Sequence, residues 1–407
     1  MLAALAIAGF ALSLAPPDLR TWPLVGLGLL ALAWVGRRPN DVRRDDALPA
    51  LAVLLAALGL LVIERISPAL AQRQIVWLAI SLGLAFACGP AFERFRRLAG
   101  FKYVWVLGSV ILFVLLAAFG QEVNGAKLWI RVGPVQYEPI EIIKLFIVLF
   151  MAAYLAETGD VIAAAKPWSL RANARYLGPL FLGWGASMAI LVFERDLGMA
   201  TLLLATFAAM LYVATRRIDL IVGGAALFGA AVFWAVHHYA YVGARIAVWR
   251  SPFADPLGRG YQAVQGYFSL AAGGLFGTGY GLGHPRFIPD VATDYVFAAW
   301  SEEFGLIGAL VLLAAFASIV WRALSRATRQ PDVYAKLLAT GLAATLGFQV
   351  VIIVGGVIGL FPLTGITLPF VSYGGSSLLA NFLLIALVWA IGSERRDEPE
   401  AAERTSG

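Results

Sequence analysis

The sequence is poor in most of what a soluble enzyme uses to build a site. One cysteine, Cys88, occurs in 407 residues, inside an apolar run. An intrachain disulfide is therefore excluded, and so is a metal site built on cysteines. The three histidines give no zinc-ligand spacing, since His237 and His238 are adjacent and His284 is remote. Charged residues make up only 14% of the chain, against about a quarter in a soluble domain. The net charge of +6 is scattered through short loops rather than gathered into a patch, which excludes nucleic acid as a partner. There is no polar stretch large enough for a soluble catalytic domain, and no internal repeat of the kind many transporters carry. The glycine-rich run Gly273–Gly283 lacks the preceding strand and the acidic partner of a dinucleotide loop; it is expected to fold back against the membrane surface.

Apolar sequence is abundant. Sixty per cent of residues are apolar and the mean hydropathy is +0.80, so the expected solvent is the bilayer. Runs able to cross about 30 Å of hydrocarbon recur from end to end: Leu2–Ala15, Trp22–Val35, Ala47–Ile63, Gln74–Cys88, Tyr103–Phe119, Pro139–Ala156, Gly178–Phe193, Leu197–Val213, Ile218–His237, Val296–Trp321, Leu337–Val357 and Ser372–Ile391. The fold class that follows is an all-α polytopic membrane protein of about twelve transmembrane helices. The Leu2–Ala15 run lacks the basic n-region of a cleaved leader and more apolar sequence follows at once, so it is expected to remain as a membrane segment.

Alternate loops hold about twenty of the positive charges against about ten in the opposite set, which predicts cytoplasmic N and C termini. The chain then divides into an N-terminal transmembrane hairpin with a basic cytoplasmic loop (1–46), a membrane domain (47–392) and a disordered cytoplasmic tail (393–407). Within the membrane domain, Gly120–Glu138 and the large loop 238–294 before the tenth helix of the chain are expected to be extracytoplasmic.

Ionisable groups inside membrane segments are expensive and are functional candidates by default. Glu141 and Lys144 are three apart and share a helix face; an intrahelical ion pair and a pair facing a cavity look the same in sequence. Glu194, Arg195 and Asp196 interrupt an apolar stretch, as a wet turn does when its Asp caps the next helix. Asp294 fits either a helix cap or a catalytic carboxylate, although Thr293 would make the better cap. Glu302 and Glu303 lie two turns further on, so at least one must face protein or water.

Several motifs then occur in a fixed order. They are Asn124-Gly-Ala-Lys127-Leu-Trp129, Glu138-Pro139-Ile-Glu141-Ile-Ile-Lys144, Asp196-Leu-Gly198, Gly260-Tyr-Gln262, Thr293-Asp294-Tyr-Val-Phe297, Glu302-Glu303-Phe-Gly305 and Pro362-Leu-Thr-Gly365 through Ser372-Tyr-Gly374-Gly375-Ser376-Ser377. The set resembles the FtsW/RodA/SpoVE family of peptidoglycan-polymerising glycosyltransferases, from the third apolar span to the last. Glu138 stands where that family usually has Gln, Glu194-Arg195 replace Gln-Pro, Asp290 replaces Glu and Ala292 replaces His. The first two helices add to the family's usual core of ten.

The resemblance implies that the chain polymerises lipid II at the outer face of the bacterial cytoplasmic membrane, with Asp294 as general base. It implies that the leaving pyrophosphate meets positive charge from Lys127, Arg131, Arg245, Arg250 or a divalent cation such as Mg or Mn, the identity of any metal being unknown. Trp129 fits a sugar-stacking face or an interface anchor. Glu141, Lys144 and Gln262 are expected to line the substrate region. The Ser372, Gly374 and Ser376 run suits either close helix packing or pyrophosphate at free amides. A class B penicillin-binding protein (a transpeptidase) is the expected partner, with other proteins of the elongation or division complex. The wording Glu194-Arg-Asp-Leu-Gly198 leans toward the elongation, RodA-like branch. The rival reading is a lipid II flippase or transporter, whose site would lie near the midplane rather than at one face; a non-catalytic division scaffold is a third.

Overall fold

The computed structural model describes residues 45–391 apart from 93, 95, 124, 125, 134, 166–175, 179–184 and 186–195. The expected N-terminal hairpin, the Gly178–Phe193 span apart from Gly178 and Gly185, Glu194, Arg195 and the tail from 392 onward lie outside the described residues.

Twelve α-helices occur among the described residues: α1 (Ala47–Ile66), α2 (Pro68–Phe92), α3 (Arg96–Ala99), α4 (Lys102–Phe119), α5 (Ile140–Ala164), α6 (Leu197–Thr215), α7 (Ile218–His238), α8 (Ala240–Arg250), α9 (Tyr261–Gly273), α10 (Val296–Arg329), α11 (Val333–Val357) and α12 (Gly375–Ile391). Seven of them are long and apolar enough to cross a membrane. The apolar runs of the sequence become these helices because helix is the structure that satisfies every backbone group within its own segment in a solvent without hydrogen-bonding partners. Starts are set by short polar side chains where these occur: Asp196 Oδ1 accepts from the Met199 amide at 2.9 Å, and Asp332 Oδ1 accepts from Tyr334 N at 3.2 Å.

Helices differ sharply in how much they bury. The membrane-length windows of α1 and α11 are 83% and 78% buried, whereas those of α4 and α7 are 17% and 6% buried. Thus α1, α5, α11 and α12 form a central group and α2, α4 and α7 present apolar side chains outward. Helix α10 counts 34 residues across an internal break, more than the roughly 20 that a crossing needs.

Two features depart from an all-α bundle joined by loops. The segment after α4 forms a three-stranded antiparallel sheet, β1 (Gln121–Val123), β2 (Ala126–Val132) and β3 (Val135–Tyr137), ordered β1-β2-β3. Val123 pairs with Ala126 across the Asn124-Gly125 dipeptide, a strong two-residue hairpin signal. The long 238–294 segment is also structured, containing α8, α9 and two 3-10 turns, Pro252–Ala254 and Pro285–Phe287.

Helix α10 breaks at Gly305, whose φ of 66° and ψ of −172° are non-helical. The amides freed by the break do not stay unpaired: Leu306 N donates to Gly274 O at 2.9 Å and Ile307 N to Leu275 O at 3.1 Å. The glycine-rich loop after α9 is therefore laced to α10, which fixes everything between Gly274 and Gly305 against the bundle.

Candidate active site

The site is assembled around the start of α10. Asp294 precedes this helix in a turn closed by Thr293 N and Asp294 N, which donate to Asp290 O at 3.1 and 3.0 Å. Thr293 Oγ also donates to Asp290 O, at 3.0 Å, so it serves the turn and does not cap α10; the N-cap position is Tyr295, without a side-chain cap. Asp294 is half-buried. Burial, opposed by the Thr293 hydroxyl and by Arg245, pushes its carboxyl up to about 6.

Opposite Asp294 lies the Thr364–Ile366 turn. Gly365 has φ +77°, and a Cβ there would lie 3.7 Å from Asp294 Oδ2 and 3.8 Å from Arg245 Nη2, so both side chains close on this glycine. Arg245, from α8, is fixed by donation from Nη1 to Thr364 O at 3.3 Å. The same turn packs on the start of α6, where a Cβ on Gly198 would come 2.7 Å from Thr364 Cβ. Asp196 is thereby brought under the turn. Burial raises its carboxyl above the ordinary range, while the Met199 amide and Arg245 pull it back.

Behind this layer, Glu141 and Lys144 form a direct ion pair on α5 and are 2% and 0% exposed. Lys144 Nζ also donates to Gln349 Oε1 at 2.9 Å, and Gln349 Nε2 donates to Thr367 O at 2.9 Å. Thr367 Oγ1 donates to Ser377 Oγ at 2.7 Å. Glu138 N donates to Ser376 Oγ at 2.9 Å, joining the start of α5 to the start of α12. Burial, then the carboxylates of Glu141 and Asp196, hold the Glu138 carboxyl well above its usual range. This polar layer draws Asp294, Asp196 and the Glu138, Glu141 and Lys144 set from three separate motifs and Arg245 from outside them; Glu138 feels the charges of Glu141, Asp196, Lys144 and Asp294, and Asp196 those of Arg245 and Glu141.

The other expected site residues fall in different places. Ser372 Oγ donates to Thr293 O at 2.5 Å and Gln262 Nε2 donates to Pro289 O at 3.0 Å, so both hold the backbone that carries Asp294. Gly374 N donates to Gln74 Oε1 at 3.2 Å and Ser376 Oγ accepts from Glu138; both are engaged within the protein. Trp129 and Arg131 lie on β2, paired across the sheet with Gln121 and Gln136. Lys127, also on β2, pairs with Glu122 of β1, and its side chain lies outside the described residues. Arg250 ends α8 and is exposed. Glu302 and Glu303 are buried in a separate pocket of the glycine-rich loop: His284 N donates to Glu302 Oε1 at 2.8 Å, and Arg65 Nε lies 3.5 Å from Glu303 Oε1. Arg65, Gln74 and Gln349 escaped the sequence reading. The available signal was a long polar side chain within or at the edge of an apolar run.

Residues 46–397 match the family of cell cycle proteins FtsW/RodA/SpoVE. The chain is similar to peptidoglycan glycosyltransferase RodA of Mycobacterium tuberculosis, 38% identical over 92% of this chain and 84% of that protein. Its fold is similar to that of a chain in a peptidoglycan synthase complex that coordinates polymerization and crosslinking, with a TM-score of 0.71, 29% identity and coverage of 87% of this chain and 99% of that one. It is also similar to Thermus thermophilus rod shape determining protein RodA, with a TM-score of 0.63, 30% identity and coverage of 88% and 100%. The motif segments that converge at Asp294 lie within the matched span, so the apolar helices, the order of the motifs and the shared fold lead to one assignment: the chain is an integral membrane protein and belongs to the FtsW/RodA/SpoVE family.

Proposed function

We propose that this chain is a peptidoglycan glycosyltransferase that polymerises lipid II into glycan strands at the outer face of the bacterial cytoplasmic membrane. The observation that carries the reading is the half-buried Asp294, facing Arg245 across Gly365 at the end of a buried polar layer. A carboxylate raised to about 6 is ionised at neutral pH yet basic enough to accept a proton. It takes the proton from the 4-hydroxyl of the acceptor sugar. The hydroxyl oxygen bonds to the anomeric carbon of the donor strand as the bond to its lipid pyrophosphate breaks, with inversion. Negative charge grows on the departing pyrophosphate, and Arg245, which closes on the same glycine as Asp294, is placed to receive it. Lys127, Arg131 and Arg250 are candidates for its outer portion.

Among the described residues there is no group of three or more His, Cys, Asp or Glu side chains that could hold a metal ion. The described residues therefore offer no cage built from protein ligands alone. A divalent ion, Mg or Mn, would instead arrive with substrate phosphates, as Mg commonly does.

In this reading both termini are cytoplasmic, about twelve helices cross the bilayer, and 238–294 covers the outer face. A class B penicillin-binding protein works beside the chain, as polymerization and crosslinking are coordinated in the synthase complex it resembles. The likeness to RodA proteins favours the elongation branch. The test is to supply the purified chain with lipid II, a divalent ion and its transpeptidase partner, and to resolve glycan strands on a gel. Wild type should make strands and Asp294→Asn none. Strands from both would remove Asp294 as the base, and lipid II movement across liposomes without strands would favour the transporter.

A further inference from the structure

We infer that Gln74 is a positioning residue for Asp294, acting through the Ser372–Gly374 turn; this rests on the glycosyltransferase reading above. Gln74 lies in α2, is 1% exposed and belongs to none of the motifs by which the sequence resembles the family. Its amide brackets the turn at both ends. Nε2 donates to Ser372 O at 3.2 Å, and Oε1 accepts from Gly374 N at 3.2 Å.

The residues inside the bracket hold the backbone that carries Asp294. Tyr373 N donates to Ala292 O at 2.7 Å, and Ser372 Oγ donates to Thr293 O at 2.5 Å. The two carbonyls immediately before Asp294 are therefore gripped by the two residues that Gln74 encloses. Asp294 is supported from the other side by Gln262, which holds Pro289 O.

Little slack is left in this chain of contacts. One helical turn beyond Gln74, the Trp77 ring approaches so closely that a Cβ on Gly375 would lie 2.2 Å from it. The start of α12 is thus pressed on the face of α2 that carries Gln74. A neutral amide donates at one end and accepts at the other whatever the pH. Leucine is similar in size but leaves Ser372 O and Gly374 N unpaired in a dry site, which costs each its desolvation. Glutamate keeps the acceptor for Gly374 N, but in its ionised form it sets a carboxylate against the Ser372 carbonyl.

Productive geometry in an active site is sensitive to displacements of about 1 Å, which cost on the order of a hundredfold in rate. The experiment compares the full-length chain with its Gln74→Leu, Gln74→Glu and Asp294→Asn variants by lipid II polymerisation kinetics and by backbone hydrogen exchange. Gln74→Leu should lower kcat by roughly tenfold to a hundredfold, with KM held within about twofold. Exchange should quicken in 372–374, where the amides of Tyr373 and Gly374 are held, and in 290–296, where Thr293 N and Asp294 N close the turn on Asp290 O, and stay at the wild-type level in α11. Gln74→Glu should fall between, and it carries the comparison if Gln74→Leu does not fold.

Wild-type kcat with unchanged exchange at 290–296 would overturn the inference. So would faster exchange spread evenly through the bundle, because that describes lost packing and not lost positioning. If wild type forms no strands, the glycosyltransferase reading fails by itself, and the exchange comparison still decides whether Gln74 holds the Asp294 turn.

Discussion

Two sets of carboxylates flank the first turns of α10, and they live in opposite surroundings. Glu302 and Glu303 are 5% and 2% exposed and are wrapped by the glycine-rich loop; a Cβ on Gly283 would lie 2.9 Å from Glu303 Cγ and 3.1 Å from the Glu302 carboxyl carbon. Arg65 closes that pocket, with Nη2 donating to Gly281 O at 2.8 Å and to Gly283 O at 3.1 Å. Asp294, two turns earlier, is half-buried and faces Arg245 across a glycine with no side chain between them. The first set is sealed and fastens a loop to a broken helix. The second is half-buried and carries the proposed base. Both sets have an adjoining arginine, Arg65 for Glu303 and Arg245 for Asp294, so what separates them is access.

The sharpest way to break this comparison is to neutralise one member of each set. Asp294→Asn should abolish strand formation, while Glu303→Gln should retain at least a tenth of wild-type kcat, roughly, because its carboxylate touches protein and not substrate. Equal loss in both would mean that the loop pocket belongs to the reaction. Next in size comes the ion pair behind the site. Lys144→Met leaves Glu141 as an uncompensated charge in a dry layer, which costs about 3–5 kcal/mol. Thermal unfolding in detergent should show that drop, and Glu141→Gln combined with Lys144→Met should recover most of it. A third and smaller effect is expected from Arg65→Leu. It frees Gly281 O and Gly283 O and leaves Glu303 unpaired, for a loss of about 1–3 kcal/mol. Exchange should then quicken in 274–284 before it does in the turn that carries Asp294.

Much of this contrast was readable from residues, and its limits have physical causes. Hydropathy placed the described helices well: the run Ala47–Ile63 became Ala47–Ile66, and Ile218–His237 became Ile218–His238. The Glu141–Lys144 spacing left an ion pair and a cavity-facing pair open; the two side chains do pair, and they sit in the polar layer behind Asp294. The Asp196 cap is as its position predicted. Asp294 stood out because its motif came in order with others, although spacing alone allowed a helix cap. The three-stranded sheet was missed because its strands are short and lie between strong helical runs, even though Asn124-Gly125 is a turn signal. Gln74 and Gln349 were missed because a lone amide in an apolar helix carries no pattern. Their meaning depends on partners 298 and 205 residues away. The sealing of Glu302 and Glu303 likewise depends on a helix break at Gly305, which a one-dimensional pattern does not register.

The smallest expected effect concerns the pH response of Asp294. Its carboxyl is raised from an ordinary 3.8 to about 6, with burial the largest cause. As a general base it works only when ionised, so kcat/KM should fall as pH drops through about 6 and level off above it. For stability the sign is reversed from the usual salt-bridged Asp. A folded-state value above the unfolded one means that the unfolded chain gives up this proton first, so Asp294 costs the fold progressively as pH rises from about 4 to about 6, with the full cost above that. Asp294→Asn removes the charge and should melt slightly higher than wild type at pH 8, with the gap closing toward pH 4. Melting curves in detergent at the two pH values read this directly. A gain at pH 8 that closes toward pH 4 would tie accessibility and stored cost to the same residue, as a reactive base on a rigid scaffold requires, whereas unchanged melting at both values would mean that Asp294 stores no cost.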